Sequence, residues 1–212
     1  IGSAYFDVAQ VVGLPVAELS GLKPMQSSTG GVGELMLKIV DQGYTDLVIS
    51  CGGSASVDCG LGLLSVLGLS FYANLKELKW PKACDLDQIN KIEGEVFRGV
   101  TIKVLADVKN PLTGSRGAMR VYGPQKGLRA NQISKIEKGI LSFSALTEQF
   151  LEMKIDVRQD YLGAAGGIPF ALKFFLKADV CSGFSFFCKV HALEEKIKSA
   201  DLIITGEGLV DE

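Results

Sequence analysis

Small, polar and acidic residues crowd the stretch Gly52-Gly53-Ser54-Ala55-Ser56-Val57-Asp58-Cys59-Gly60, a composition suited to gripping a phosphate or a carboxylate. Glycine at 52 and 53 permits positive φ and brings backbone N–H groups close to an anion with no Cβ in the way. Ser54 and Ser56 add hydroxyls. Asp58 needs a separate reason, because a carboxylate among phosphates repels them unless it holds a metal ion or takes up a proton. The competing explanation is a tight turn whose Ser and Asp side chains cap the next helix. A second cluster, Asp107-Val-Lys-Asn110-Pro111-Leu-Thr-Gly114, puts an acid and an amide just after an apolar run. Pro111 biases Asn110 toward an extended backbone, which would fix the direction of its amide. Arg116 and Lys126 adjoin the glycines that follow and could neutralise an anion, Arg as a planar fork and Lys as a point charge.

The elements that must position these groups are legible around them. Leu47 to Ser50 is a short apolar run of the kind a buried parallel strand uses, and Leu61 to Leu69 reads as the helix after the glycine turn. Thr101 to Ala106 is a second strand by its β-branched and apolar content, and it leads straight to Asp107. Residues 4–12 read as a helix, and Glu34 to Gln42 as another that Gly43 ends. The run Ser27 to Gly33 before it could accept an anion, though a capping loop is the simpler reading. Lys76 to Gly99 reads as a polar excursion with a short helix near 85–92. Ile133, Ile136, Ile140, Phe143 and Phe150 mark one apolar face of a long helix over 131–151. Gly163-Ala-Ala-Gly166-Gly167 precedes an apolar helix, Phe170 to Leu176, and its small residues allow close approach of either a neighbouring helix or a ligand. His191 stands before the charged helix that starts at Leu193 and reads as a surface or helix-end residue. The chain closes on Asp201-Leu-Ile-Ile-Thr205-Gly-Glu207-Gly-Leu-Val-Asp211-Glu212, a strand running into a Gly/acid loop.

Composition excludes several classes. Apolar residues make up 47% and charged residues 22%, which is globular. A net charge of −2 leaves no electrostatic footprint for nucleic acid or an acidic membrane. No apolar run reaches the roughly 20 residues that span a bilayer. The odd set of five cysteines has no C-x-x-C pair and reads as buried free thiols in a reducing cytoplasm. A Walker loop is absent, and Gly60-Leu-Gly62-Leu-Leu-Ser fails the dinucleotide fingerprint at its third glycine. With one His and no nucleophile elbow, a hydrolase triad is not expected. The chain opens on Ile1 without a leader-like segment and breaks off in mid-motif, so it is expected to continue on both sides.

GGSASVDCG at 52–60 resembles the GGSAT-x-DGG signature of the bacterial glycerate kinase family. ADVKNPLTGSRGA at 106–118 with YGPQKG at 122–127, LGAAGGI at 162–168 and ADLIITGEGLVDE at 200–212 resemble later motifs of that family, in the family's order. Leu209 stands where the family usually has Arg, and Val57 where it often has Asn. The resemblance implies an α/β fold, a parallel or mixed sheet with helices on both faces, in a protein of two α/β domains with the active site between them. Residues 1–192 would form most of the inserted domain, and 193–212 would return into a flavodoxin-like one. It implies ATP-dependent phosphorylation of D-glycerate, 2-phosphoglycerate favoured, in the cytoplasm with ATP and Mg²⁺. Asp58 and Asp107 are the implied catalytic acids and Mg²⁺ ligands, in either order. Gly52, Gly53, Ser54, Ser56, Asn110, Arg116, Lys126, Gly166, Gly167, Glu207 and Asp211 are the implied substrate or phosphate contacts. No nucleic-acid or membrane partner is expected, and homo-oligomerisation is left open. A catalytically silent relative that binds a nucleotide or small organic acid is the alternative reading, and Leu209 favours it.

Overall fold

The computed structural model describes residues 2–206. Its elements, in chain order, begin with β1 (Ala4–Asp7), α1 (Ala9–Val12), α2 (Leu14–Ser20), α3 (Gly30–Asp41) and β2 (Asp46–Ser50). Next come α4 (Leu61–Val66), β3 (Leu69–Ala73), β4 (Lys76–Glu77), β5 (Lys91–Gly94) and β6 (Thr101–Ala106). The chain continues with α5 (Ala118–Tyr122), α6 (Ala130–Leu151), α7 (Ile168–Leu176), β7 (Asp179–Ser182), α8 (Gly183–Val190) and α9 (Leu193–Lys198).

Four strands form a parallel sheet in the order β1-β2-β6-β7, with Asp7 opposite Ser50, Ser50 opposite Leu105 and Ala106 opposite Ser182. The carboxyl ends of all four strands therefore reach one edge together. Leu47, Val48 and Ile49 are buried in succession, so both faces of β2 are covered, as parallel sheets require. A separate antiparallel sheet has the order β4-β3-β5, with β3 in the centre. The core between them is aromatic. Phe143 of α6 stacks on Phe175 and meets Phe71 and Phe170 with ring centroids 5.9 Å away, in the tilted and edge-on geometries that ring quadrupoles favour.

Several expectations need correction. Residues 4–12 are strand followed by a single helical turn, since Ala4–Asp7 pairs with β2 along its whole length. The helix expected near 85–92 is a 3₁₀ turn at Ala83–Asp85, and Lys91–Gly94 is a strand held by β3. The helix from Leu61 stops at Val66, and Leu69 already belongs to β3. α3 starts at Gly30, earlier than Glu34, because its first turn packs its glycines against α4, where a Cβ on Gly33 would meet Val66 at 2.9 Å. Residues 202–206 pair with no strand among the described residues, and Leu202, Ile203 and Ile204 are exposed. Of the five free cysteines, Cys51 and Cys59 are buried and Cys84, Cys181 and Cys188 only half-buried. Among the described residues no helix is long and apolar enough to cross a membrane.

Candidate functional site

Two cavities lie side by side along the carboxyl edge of the parallel sheet, and they share Cys51, Gly52 and Val108 as a common wall. The smaller holds about 230 Å³ and is bounded by the glycine turn after β2, by α5 with the turn that follows it, and by the Gly163–Gly166 loop. The larger, about 840 Å³, opens over the ends of β1, β2, β6 and β7 and against α8.

Lys126 gives the smaller cavity its charge. Its ammonium donates to Ser54 Oγ at 3.2 Å and to the carbonyl of Ser56 at 2.9 Å, so no carboxylate neutralises it by contact. Burial lowers its pKa to about 8, and the negative charge of Asp58 works against that fall. The chain bridges Gly53 O to Leu14 N and Val12 O to Ala55 N, which pins the turn to the start of α2. The N–H groups of Gly52, Gly53 and Ser54 meet no acceptor among the described residues. Unpaired amides beside a half-buried ammonium form an anion-accepting corner. α5, which lends Met119 and Tyr122 to the wall, is fixed to α6 by a forked contact of Arg120 with Glu137 at 2.8 and 2.9 Å.

Asp58 points elsewhere. It is 0% exposed, and its Oδ2 accepts bonds from Thr29 N at 2.7 Å, Thr29 Oγ1 at 2.9 Å and Gly62 N at 3.2 Å, while Oδ1 accepts from Gly60 N at 3.4 Å. Burial raises its pKa and these donors oppose the rise. Four donors converging on one carboxylate suit its ionised form, and Thr29 Oγ1 in turn accepts from Leu63 N at 3.0 Å. The carboxylate therefore joins the loop before α3 to the start of α4, and it lines neither cavity. A Mg²⁺ ion or a substrate hydroxyl would have to displace these donors, so the geometry does not fit Asp58 to either task expected of it. The Ser27–Gly33 run is likewise structural, with Ser27 Oγ accepting from Val57 N and Ser28 Oγ donating to Pro81 O.

Asp107 has the opposite setting. It lies exposed at the end of β6, in the larger cavity. One oxygen accepts Phe184 N–H at 3.1 Å, and the other has no partner among the described residues. Asn110 uses its amide to tie its loop to α5, donating to Arg116 O at 2.8 Å and accepting from Tyr122 Oη at 2.9 Å. Arg116 is exposed and lines neither cavity. Ser56 donates to Ala165 O at 2.9 Å. Gly166 borders the smaller cavity, but a Cβ there would sit 2.0 Å from Ser56 O, and one on Gly167 would sit 3.0 Å from Cys59. Both also hold positive φ, 70° and 97°. Their small size thus serves close approach of two loops. Glu207 and Asp211 lie outside the described residues.

Tyr122 and Gln125 of the smaller cavity fall within the YGPQKG motif but were not singled out there, and Asp7, Ser50 and the aromatic face of α8 in the larger carried no sequence signal of function. Asp7 was hidden by the misread element that contains it. The position of an acid at the end of a parallel strand is the cue that would have found it.

The comparisons agree on one family. A profile of the Glycerate kinase family matches residues 1–212. The chain is 33% identical over 213 residues to the glycerate kinase of Bacillus subtilis (strain 168) and 33% identical over 215 residues to the glycerate 2-kinase of Escherichia coli (strain K12). Each alignment covers 99% of this chain and 56% of the relative, so the chain spans a little over half the length of those proteins. A crystal structure from Salmonella typhimurium LT2, assigned provisionally as a glycerate kinase 2, superposes with a TM-score of 0.85 at 31% identity, over 99% of this chain and 57% of that one.

Proposed function

This chain belongs to the glycerate kinase family, and from that premise we propose that it carries the acceptor site and part of the nucleotide site of an ATP-dependent kinase for D-glycerate. The observation that supports the reading best is the corner where the Lys126 ammonium meets the unpaired N–H groups of Gly52, Gly53 and Ser54. The glycerate carboxylate binds there, in a cavity too small for a nucleotide and lined by one cation. ATP occupies the larger cavity, with its base toward Phe184 and Phe187 of α8 and His191 just after it.

Phosphoryl transfer asks the protein mainly for position and charge. The acceptor hydroxyl oxygen bonds to the γ-phosphorus, the bond from that phosphorus to the β-phosphate oxygen breaks, and ADP leaves. The hydroxyl proton passes to Asp107, whose unpartnered oxygen opens on the shared wall beside Val108. Lys126 holds the acceptor in place and offsets its charge. Hard oxygen donors at the strand ends, among them the hydroxyls of Ser50 and Ser182, would suit Mg²⁺, which when bound neutralises phosphate charge. Among the described residues no three His, Cys, Asp or Glu side chains gather into a metal site. The E. coli relative's name supports the 2-position. Residues 1–192 then form the inserted domain and 193–212 the return into a flavodoxin-like one. The cytoplasm, where ATP is abundant, is the matching location.

Calorimetric titration with D-glycerate tests the acceptor corner. Lys126→Met should weaken binding by about 5- to 150-fold, the equivalent of losing a charge-assisted contact of about 1–3 kcal/mol. Unchanged affinity would move the carboxylate out of this cavity. A coupled ADP assay, with phosphorus NMR of the product, tests the reaction and its position.

A further inference from the structure

We propose that Asp7 is the second carboxylate of the transfer site and faces the divalent cation of the bound nucleotide, an inference that rests on the kinase reading above. Asp7 closes β1 as Asp107 follows β6, with β2 between them, and both acids line the larger cavity. They are built alike. Asp7 Oδ1 accepts Ala9 N–H at 2.8 Å, just as Asp107 Oδ1 accepts Phe184 N–H at 3.1 Å. In this way Asp7 is tied to α1, the helix that follows its own strand, and Asp107 to α8, the helix that follows β7. The second oxygen has no partner among the described residues. A lone carboxylate turned toward polyphosphate would repel it, and two would do so more strongly, unless a cation sits between acid and phosphate. Ser50 stands opposite Asp7 in register and Asp107 lies beyond, so hard oxygen donors that suit Mg²⁺ face this part of the cavity, which Cys51 and His191 also line.

The two acids are not equivalent. Val108, next to Asp107, borders both cavities, so Asp107 belongs to the acceptor side. Asp7 lies on the side of Tyr5 and Phe186, whose rings are 6.5 Å apart, away from the Lys126 corner. Division of labour follows: Asp107 takes the proton and Asp7 faces the metal–phosphate unit.

Mn²⁺–ADP binding to the purified protein, read by water-proton relaxation, tests this without turnover. Asp7→Asn keeps an oxygen for Ala9 N–H and removes only the charge, and Asp7→Ser provides a second capping side chain should Asn misfold. Either variant should bind Mn²⁺–ADP at least about tenfold more weakly, with a melting temperature within about 2 °C of the parent. Glu95→Gln, an exposed charge outside both cavities, should bind as the parent does. Affinity of the Asp7 variants within twofold of the parent, or no Mn²⁺–ADP binding by the parent, overturns the proposal. Phosphorylation of D-glycerate by the full-length protein separates the two readings. If it proceeds while Asp7→Asn binds normally, only the Asp7 role falls. If the full-length protein does not phosphorylate glycerate, the kinase reading falls, and relaxation still decides Asp7.

Discussion

The loop after β2 and the loop after β6 look alike in sequence, each carrying an Asp among Gly and small polar residues at the end of an apolar strand, yet they use their acids in opposite ways. Asp58 is sealed among Thr29, Gly60 and Gly62, while Asp107 keeps an oxygen open to a cavity. An acid fully supplied with donors cannot also bind a metal or take a proton without losing them. An acid tied by one bond can do both. The count of donors, more than the residue type or its distance from a glycine turn, separates a strut from a chemical group.

The largest effect expected from this contrast is on stability. Asp58→Ala would leave three backbone N–H groups and the Thr29 hydroxyl without their acceptor in a dry interior, and each buried donor so stranded costs about 1–3 kcal/mol. Some of that is recovered by relaxation, so a loss of about 4 kcal/mol in urea denaturation is expected. A loss under about 1 kcal/mol would mean that the network is not what joins α3 to α4.

A smaller effect sharpens the same contrast through pH. Lys126 is tied to the Asp58 loop by Ser54 and Ser56 and titrates near 8. Its folded pKa is depressed below the unfolded value near 10.4, so between those values the unfolded chain holds more protons and stability rises with pH across that window. Anion binding runs the other way. kcat/KM for glycerate should fall as pH rises through about 8, approaching tenfold per unit, because the ammonium is lost. Lys126→Arg, which stays charged, should flatten that fall. A wild-type profile level to pH 9.5 would detach Lys126 from the acceptor.

Much of the fold was legible where periodicity is local. The apolar run of β2, the β-branched β6 and the single apolar face of α6 each announce themselves within their own residues. β1 did not, because a strand of four residues shows too little alternation to be told from a helix turn, and its identity comes from pairing with β2. The candidate site was half legible for the same reason. Gly52, Gly53, Ser54 and Lys126 meet at one cavity as their motifs imply. The fate of Asp58 depends on Thr29, far away in the chain, and local pattern is the same for a cap and a ligand. Asp7 disappeared with its misread strand, and Asn110 proved to be occupied by Arg116 O and Tyr122 Oη.

Parallel Asp→Asn exchange at positions 58 and 107, with melting temperature and kcat measured on the same samples, tests the contrast most directly. Asn at 107 keeps an oxygen for Phe184 N–H, so Asp107→Asn should melt within about 2 °C of the parent and lose about 100-fold or more in kcat. Asn at 58 can keep its oxygen for Thr29 and Gly62 but then turns an N–H₂ toward Gly60 N–H and loses the charge that four buried donors share, so Asp58→Asn should melt below the parent by about 4 °C or more. A stable Asp58→Asn protein without activity, beside an active Asp107→Asn protein, would contradict the account and return the chemistry to Asp58.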